Sequence, residues 1–490
     1  MPERTLDQLI DQLMRPAADA VSGFIFFAID VAGAEVPLIV LWLIGGGLFF
    51  TLYLGFVNVR GFGHAIAVVR GKYADPSHPG DISQYQALTT AVSGTVGIGN
   101  IAGVAVAISV GGPGATLWLI VAGFLGMSTK LAECTLAVMY RETSADGHSV
   151  GGPMYYLRRG LADRNWPRLG KALGVFYALA MVVGCLGIGN MFQSNQAAAI
   201  FISVTGGQDS FFAERAWLIG IIMAVCVALV IIGGIRSIAL TTSRLVPTMA
   251  FLYVVSALVI LLLNAAELPR AIVAIWNGAF SADGVAGGAV GAMIMGFRRA
   301  VFSNEAGLGS ASIAHATAKT REPVSEGYVA LLEPFLDTVV ICTMTALVIT
   351  TTVYDPAMAG SGVSGIELTT RAFASTLSWA PIPLSVAAIL FAFSTMITWS
   401  FYGLRAFTYL AGDSRVNDLA FKLFFLMFVV LGASVELGSL VDLSDALVFV
   451  VAIPNLLGLY LLAPLIRRSL KDYQARVIGS VKPADFSPER

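Results

Sequence analysis

The chain alternates long apolar stretches with short polar connections. Stretches near twenty residues suffice to cross a hydrocarbon core about 30 Å thick. Eleven can be marked, at about 35–58, 85–110, 113–141, 172–204, 215–236, 240–265, 285–318, 325–353, 381–411, 418–436 and 440–466. Their lengths predict helices, since a helix satisfies its backbone polar groups within its own segment. The expected fold class is an all-α polytopic membrane protein with about 11 transmembrane helices. Several stretches are long enough to tilt or to carry a non-helical break. Residues 1–34 stand apart: Leu6, Ile10 and Met14 recur at helical spacing, and Asp30 closes a short apolar run from Gly23 to Ile29. An amphipathic or re-entrant segment is expected there. Acidic residues beside Arg4 and Arg15 leave no basic leader region.

Spans two to six and seven to eleven repeat the same spacing. Their starts pair as 85 and 285, 113 and 325, 172 and 381, 215 and 418, 240 and 440. Five is odd, so the second set must cross upside down relative to the first. Such inverted repeats have broken leading helices that bind substrate near the midplane. The expected organisation is an additional helix at 35–58, five-helix repeats at 85–265 and 285–466, and a tail at 467–490.

Basic residues give an orientation. The connections after spans one, three, five, seven and nine, with the tail, hold Arg60, Arg70, Lys72, Arg141, Arg158, Arg159, Arg164, Arg168, Lys171, Arg236, Arg244, Lys319, Arg321, Arg405, Arg415 and the tail cations. The opposite set holds Arg4, Arg15, Arg215, Arg270 and Arg371. The bias predicts a cell-membrane protein with a cytoplasmic C-terminus and an outside N-terminus. Composition agrees: hydrophobic residues make up 57% of the chain and charged ones 12%, with a mean hydropathy of +0.78. A net charge of −1 gives no footprint for nucleic acid. The absence of a GxxxxGK[ST] loop argues against ATP as the energy source. Cys134, Cys185, Cys226 and Cys342 lie in apolar runs without CxxC spacing and read as buried thiols. His64, His78, His148 and His315 are scattered, which argues against a metal site. The GxSxG run Gly147–Gly151 shows no readable strand before it or helix after it, so an enzyme has little support.

The polar groups inside the spans carry the chemistry. Span two contains Ser93-Gly94-Thr95-Val96-Gly97-Ile98-Gly99-Asn100 near its middle. Three glycines in seven residues weaken the helix, and a broken helix frees carbonyls for a hard cation and amides for a carboxylate. Close helix packing is the other use of such glycines, but packing needs no amide such as Asn100. Span seven carries Phe302, Ser303, Asn304 and Glu305 before Gly307 and Gly309. Glu305 is either a ligand or coupling group, or a partner of Arg298 or Arg299. Asn190 and Gln193 in span four, and Ser394, Thr395 and Trp399 in span nine, fall at similar depth. Trp399 could wall a small apolar pocket, and the two hydroxyls suit sodium. Asp337 shares a face with Glu333 in span eight and could bind a cation or relay protons, while Lys130 and Glu133 could neutralise each other.

At these residues the chain resembles the sodium:alanine symporters of bacteria and archaea, from about residue 35 to about 470. The resemblance is densest in QALTTAVSGTVGIGNIAGVAVAISVGGPGATLWLIVAGFLGMSTKLAECTLAVMYR (Gln86 to Arg141), GGPMYYL (Gly151 to Leu157), FSNEAGLGSASIAHA (Phe302 to Ala316) and FSTMITWSFYG (Phe393 to Gly403). It implies a ten-helix core in two inverted repeats, as in the amino acid–polyamine–organocation superfamily, plus one extra helix. It also implies substrate contacts at Thr95, Gly97, Gly99 and Asn100. Asn190, Gln193, Phe302, Ser303, Asn304, Thr395 and Trp399 are further candidates, with sodium near Gly97, Ser394 and Thr395. Ile98 stands where relatives often have Thr, which bears on substrate choice, and Ser312 where they often have Pro. The expected function is import of a small neutral amino acid, alanine or glycine, by sodium symport with no other cofactor. Proton coupling through Asp337 or Glu305, or a channel, are the alternatives.

Overall fold

The structure, a computed structural model, describes residues 15–16, 19–31, 34–144, 146–280, 288–355, 365–435 and 437–479. The amphipathic positions Leu6, Ile10 and Met14 lie outside the described residues. Just after them, Ala28–Val31 pairs antiparallel with Ala34–Pro37, a hairpin the apolar pattern did not signal.

Helices dominate the rest. Among the described residues, seven are long and apolar enough to cross a membrane: Ala115–Met139, Pro167–Val204, Gly234–Leu263, Pro323–Thr352, Pro381–Ala411, Arg415–Ser434 and Phe449–Ile478. The pair Gln84–Thr95 and Ile98–Gly111 makes an eighth, bent by 59° at its break. Spans one, five and seven appear as the shorter helices Leu38–Tyr53, Ala216–Ile231 and Gly288–Asn304. Length and composition thus support seven or eight spans, and the count of eleven is an expectation beyond them. The outer faces of spans five and six carry exposed Leu229, Phe251 and Leu262, as lipid-facing helices do, while spans three and nine are mostly buried.

Span two begins at a capping box: Gln86 N–H donates to Ser83 Oγ at 3.2 Å, and Ser83 N–H donates to Gln86 Oε1 at 3.0 Å. The helix stops at Thr95, where Val96 and Gly97 turn extended, then resumes through Ile98–Asn100 into Ala102–Gly111. Span seven breaks after Asn304. Glu305, Gly307 and Gly309 all have left-handed backbones (φ 57°, 94° and 75°), and a short helix Ala311–His315 follows. Both leading helices are therefore interrupted, as the repeat pattern predicts. Spans four and eight each contain a π-helical stretch, Gly187–Met191 and Phe335–Cys342.

The short helices Pro153–Ala162, which is mostly buried, Leu268–Phe280 and Ile366–Thr376 fill connections that read as loops in the sequence. The GxSxG reading needs correcting in one respect, because Ser149–Val150 is a short strand and a helix does begin at Pro153. Ser149 nonetheless contributes its backbone N–H, to Asp81 at 2.8 Å, and the His148 ring faces the same carboxylate at 2.7 Å. Cys226 is exposed on the helix surface, unlike the buried Cys134, Cys185 and Cys342.

Candidate functional site

The break in span two is held open by side chains. Gly97 N–H donates to Asn100 Oδ1 at 2.8 Å, so the amide closes the unwound turn from within. Ile98 N–H donates to Gln193 Oε1 at 3.3 Å, and Gln193 Nε2 donates to the Ile188 carbonyl at 3.1 Å. The accepting carbonyl lies in the π-helical stretch Gly187–Met191, so that stretch anchors the Gln193 side chain beside the break. Asn190, one turn earlier, is turned away: its Nδ2 donates to the Phe425 carbonyl of span ten at 2.7 Å. The expected Asn190–Gln193 pair therefore splits between two neighbours.

Span nine meets the break from another side. Thr395 Oγ1 donates to the Ser93 carbonyl at 3.1 Å, and Ser394 Oγ lies 3.4 Å from the same oxygen. Ser93 Oγ donates to the Ser394 carbonyl at 2.8 Å and sits 2.9 Å from Thr398 Oγ1. A Cβ on Gly97 would lie 2.7 Å from Thr395 Oγ1 and 3.4 Å from Gln193 Oε1, so only bare backbone fits among these groups. Hard oxygens from spans two and nine thus gather at one buried point, a donor set suited to sodium. Ser93 and Thr398 belong to this set although the sequence reading did not single them out. Their signal was position, within the same two motifs. Thr95 bonds back to Ala91 and Val92 and closes the end of its own helix.

Trp399 is 2% exposed, and its indole N–H donates to Glu305 Oε1 at 3.0 Å and approaches the Gly94 carbonyl at 3.3 Å. Glu305 Oε2 accepts from Ser310 across the span-seven break. The guanidinium of Arg298 instead lies over Phe26 and that of Arg299 over Phe302. Phe302 meets Phe192 edge to face at 5.5 Å and faces Gly99 across the break.

Asp337 connects the two breaks. Its Oδ1 accepts from Asn100 Nδ2 at 2.6 Å, and its Oδ2 accepts from Ser303 Oγ at 2.8 Å and Thr338 Oγ1 at 2.7 Å. Asn304 folds over the break, accepting from Ala306 N–H at 3.0 Å and donating to Thr338 at 3.0 Å. Glu333 belongs to a different network despite its i, i+4 spacing from Asp337. It pairs with Lys130 at 3.1 Å and with His315 Nε2, whose Nδ1 faces Glu326 at 2.6 Å.

One expectation about charges is therefore corrected. Lys130 makes its close ion pair with Glu333 of span eight rather than with Glu133; both are fully buried, which puts partners from other helices in reach. Glu133 Oε1 accepts from Gly307 N–H at 2.9 Å, Gly309 N–H at 3.1 Å and Asn455 Nδ2 at 2.8 Å. It thereby satisfies amides that the span-seven break leaves free. One of the four histidines does meet other possible ligands: atoms of His315, Cys134 and Glu333 lie within 4.8 Å of one another. Both ring nitrogens of His315 are already engaged by carboxylates, and Glu333 is engaged by Lys130.

The chain matches the sodium:alanine symporter family over residues 24–486. It is 39% identical over 438 residues to the sodium/alanine symporter AgcS of Methanococcus maripaludis, covering 89% of this chain and 94% of that one. It is 33% identical over 438 residues to a probable sodium/glutamine symporter of Bacillus subtilis, covering 89% and 87%. Among solved structures, that of MhsT in complex with L-phenylalanine shares the fold, with a TM-score of 0.55 at 16% identity over 84% of this chain and 92% of that one.

Proposed function

The chain belongs to the sodium:alanine symporter family, and from that premise we propose that it imports a small neutral amino acid, alanine or glycine, together with sodium by alternating access. Sodium-coupled amino-acid transport is the family's activity, and the chain is a multi-pass membrane transporter rather than an enzyme. The observation that carries the finer reading is the convergence on one backbone break. Hydroxyl and carbonyl oxygens of Ser93, Ser394 and Thr395 meet there, and Asn100, Gln193, Phe302 and Trp399 surround the same turn.

In this reading sodium is taken by the Ser93 carbonyl with the Ser394 and Thr395 hydroxyls beside Gly97. The substrate carboxylate faces the amides freed at Gly97–Asn100, where the new helix N-terminus favours an anion. Gln193, Ser303 and Asn304 offer oxygens for the ammonium, and Phe302 and Trp399 bound an apolar space for a small side chain. Sodium entering first stabilises the unwound turn, so the substrate meets an organised site. The N-terminus lies outside and the C-terminus in the cytoplasm, with the bilayer of the cell membrane as the solvent.

The test is uptake of radiolabelled alanine and glycine into reconstituted vesicles with and without an inward sodium gradient. Accumulation that follows the gradient and saturates supports the reading; uptake indifferent to sodium removes it. A proton-coupled reading has one observation in its favour, the Asp337 carboxylate bonded to both broken helices. Asp337→Asn keeps acceptor and donor groups there and removes the charge. Sodium-driven uptake is expected to persist in that variant; its loss, with protonophore-sensitive uptake in the unaltered protein at constant sodium, would favour the proton.

A further inference from the structure

The indole of Trp399 is gripped on three sides. Its N–H edge faces Glu305 Oε1 at 3.0 Å and the Gly94 carbonyl at 3.3 Å. The Tyr402 ring stands edge-on to it at 5.7 Å and is itself fully buried. Its inner side rests on Gly189 of span four: a Cβ there would lie 2.1 Å from Trp399 Cγ, 2.3 Å from Cβ and 2.5 Å from Cδ2. Those separations leave no room for a methyl group.

Gly189 has no conformational reason to be glycine. It is not among the glycines with a left-handed backbone, and it lies inside the helical stretch Gly187–Met191, where alanine is the better residue. What excludes a side chain is the indole. The same π-helical stretch anchors Gln193 beside Ile98, so one local feature of span four both seats the indole and reaches the break.

We propose that Gly189 is a specificity-determining position, whose bare backbone sets how deeply Trp399 seats into span four and hence how large a substrate side chain fits between the indole and the span-two break. The proposal rests on the reading of Trp399 as a pocket wall. A methyl at 189 moves the indole away from span four. Tyr402 bounds the ring on another side and the Gly94 and Glu305 oxygens already touch its N–H edge, so the displaced indole must tilt out of these contacts and changes the space beside the break that is left for substrate. Gly189 touches no substrate and acts through Trp399, which makes it a positioning residue.

The experiment compares the unaltered protein, Gly189→Ala, Trp399→Ala and the double variant. In vesicles, Gly189→Ala is expected to raise the KM for alanine relative to that for glycine by about tenfold or more, the value of one methyl-sized group in an apolar pocket. The kcat for glycine should hold. In detergent without substrate, Gly189→Ala should lower Tm in the native background and not in the Trp399→Ala background. An unchanged alanine-to-glycine ratio overturns the proposal, as does an equal loss of Tm in both backgrounds. Should Gly189→Ala fail to assemble, assembly of the double variant supports the proposal and its failure beside an assembled Trp399→Ala overturns it. If the unaltered protein shows no sodium-dependent uptake, the transport reading fails instead, and the Tm comparison still reports on the contact.

Discussion

Asn100 accepts from Gly97 N–H with one end of its amide and donates to Asp337 with the other, so a single side chain ties the unwound turn of span two to span eight. Asn100→Ala strands a buried amide and removes a donor from a buried carboxylate, at about 1–3 kcal/mol for each unsatisfied group. Loss of uptake with a lowered Tm is the expected outcome, read by vesicle transport and thermal melting. Lys130 and Glu333 make a second residue-level case, since both are fully buried 3.1 Å apart. Lys130→Met should cost about 3–5 kcal/mol because it leaves a buried charge uncompensated. Adding Glu333→Gln, which still offers a carbonyl to His315, should recover most of the lost Tm; no recovery would show that the pair is not the source. The sequence made the candidates around the break legible because glycine, amide and hydroxyl residues are costly in lipid unless used. It did not reveal partners. Lys130 and Glu133 are neighbours along one helix, but burial let each find a mate on another, and Asn190 turned toward span ten.

The two broken helices differ in how they are maintained. Both are stapled from within, span two by Asn100 and span seven by Asn304, but span seven also takes Glu133 from span three and Asn455 from span eleven. Asn455 also donates to the Gly307 carbonyl at 2.7 Å, so both sides of that peptide run are engaged. Gly309 has φ 75°, and a Cβ on it would lie 2.4 Å from Pro153 Cγ. Gly309→Ala should therefore cost at least the about 1–2 kcal/mol of a left-handed backbone and depress Tm together with uptake. A variant with normal melting would count against the need for that conformation. At this scale both breaks were foreseeable from glycine spacing beside polar groups. The π-turns in spans four and eight were not, since one extra residue in a turn leaves no compositional mark. The short connecting helices were missed because they are 10 to 13 residues long, too short to compete with the spans in a reading for membrane-length stretches.

The molecule as a whole was legible through hydropathy and the spacing of its halves, properties that lipid imposes on every span at once. Orientation rests on arginines such as Arg164, exposed in the connection after span three, and Arg168, exposed at the start of span four. A cysteine placed at Arg164 should react with an impermeant maleimide in inside-out vesicles and not in intact cells; the reverse would invert the assignment. That labelling has a background to consider, and the background is useful. Cys226 is exposed on a helix whose outer residues Ile222, Val225 and Leu229 are exposed with it, while Cys134, Cys185 and Cys342 are enclosed. Cys226 is thus the one exposed thiol of the four, set in an apolar helix face. A membrane-soluble maleimide dye should attach once per molecule, giving a spectroscopic ruler that reads how the rest of the transporter moves against the bilayer without a designed cysteine.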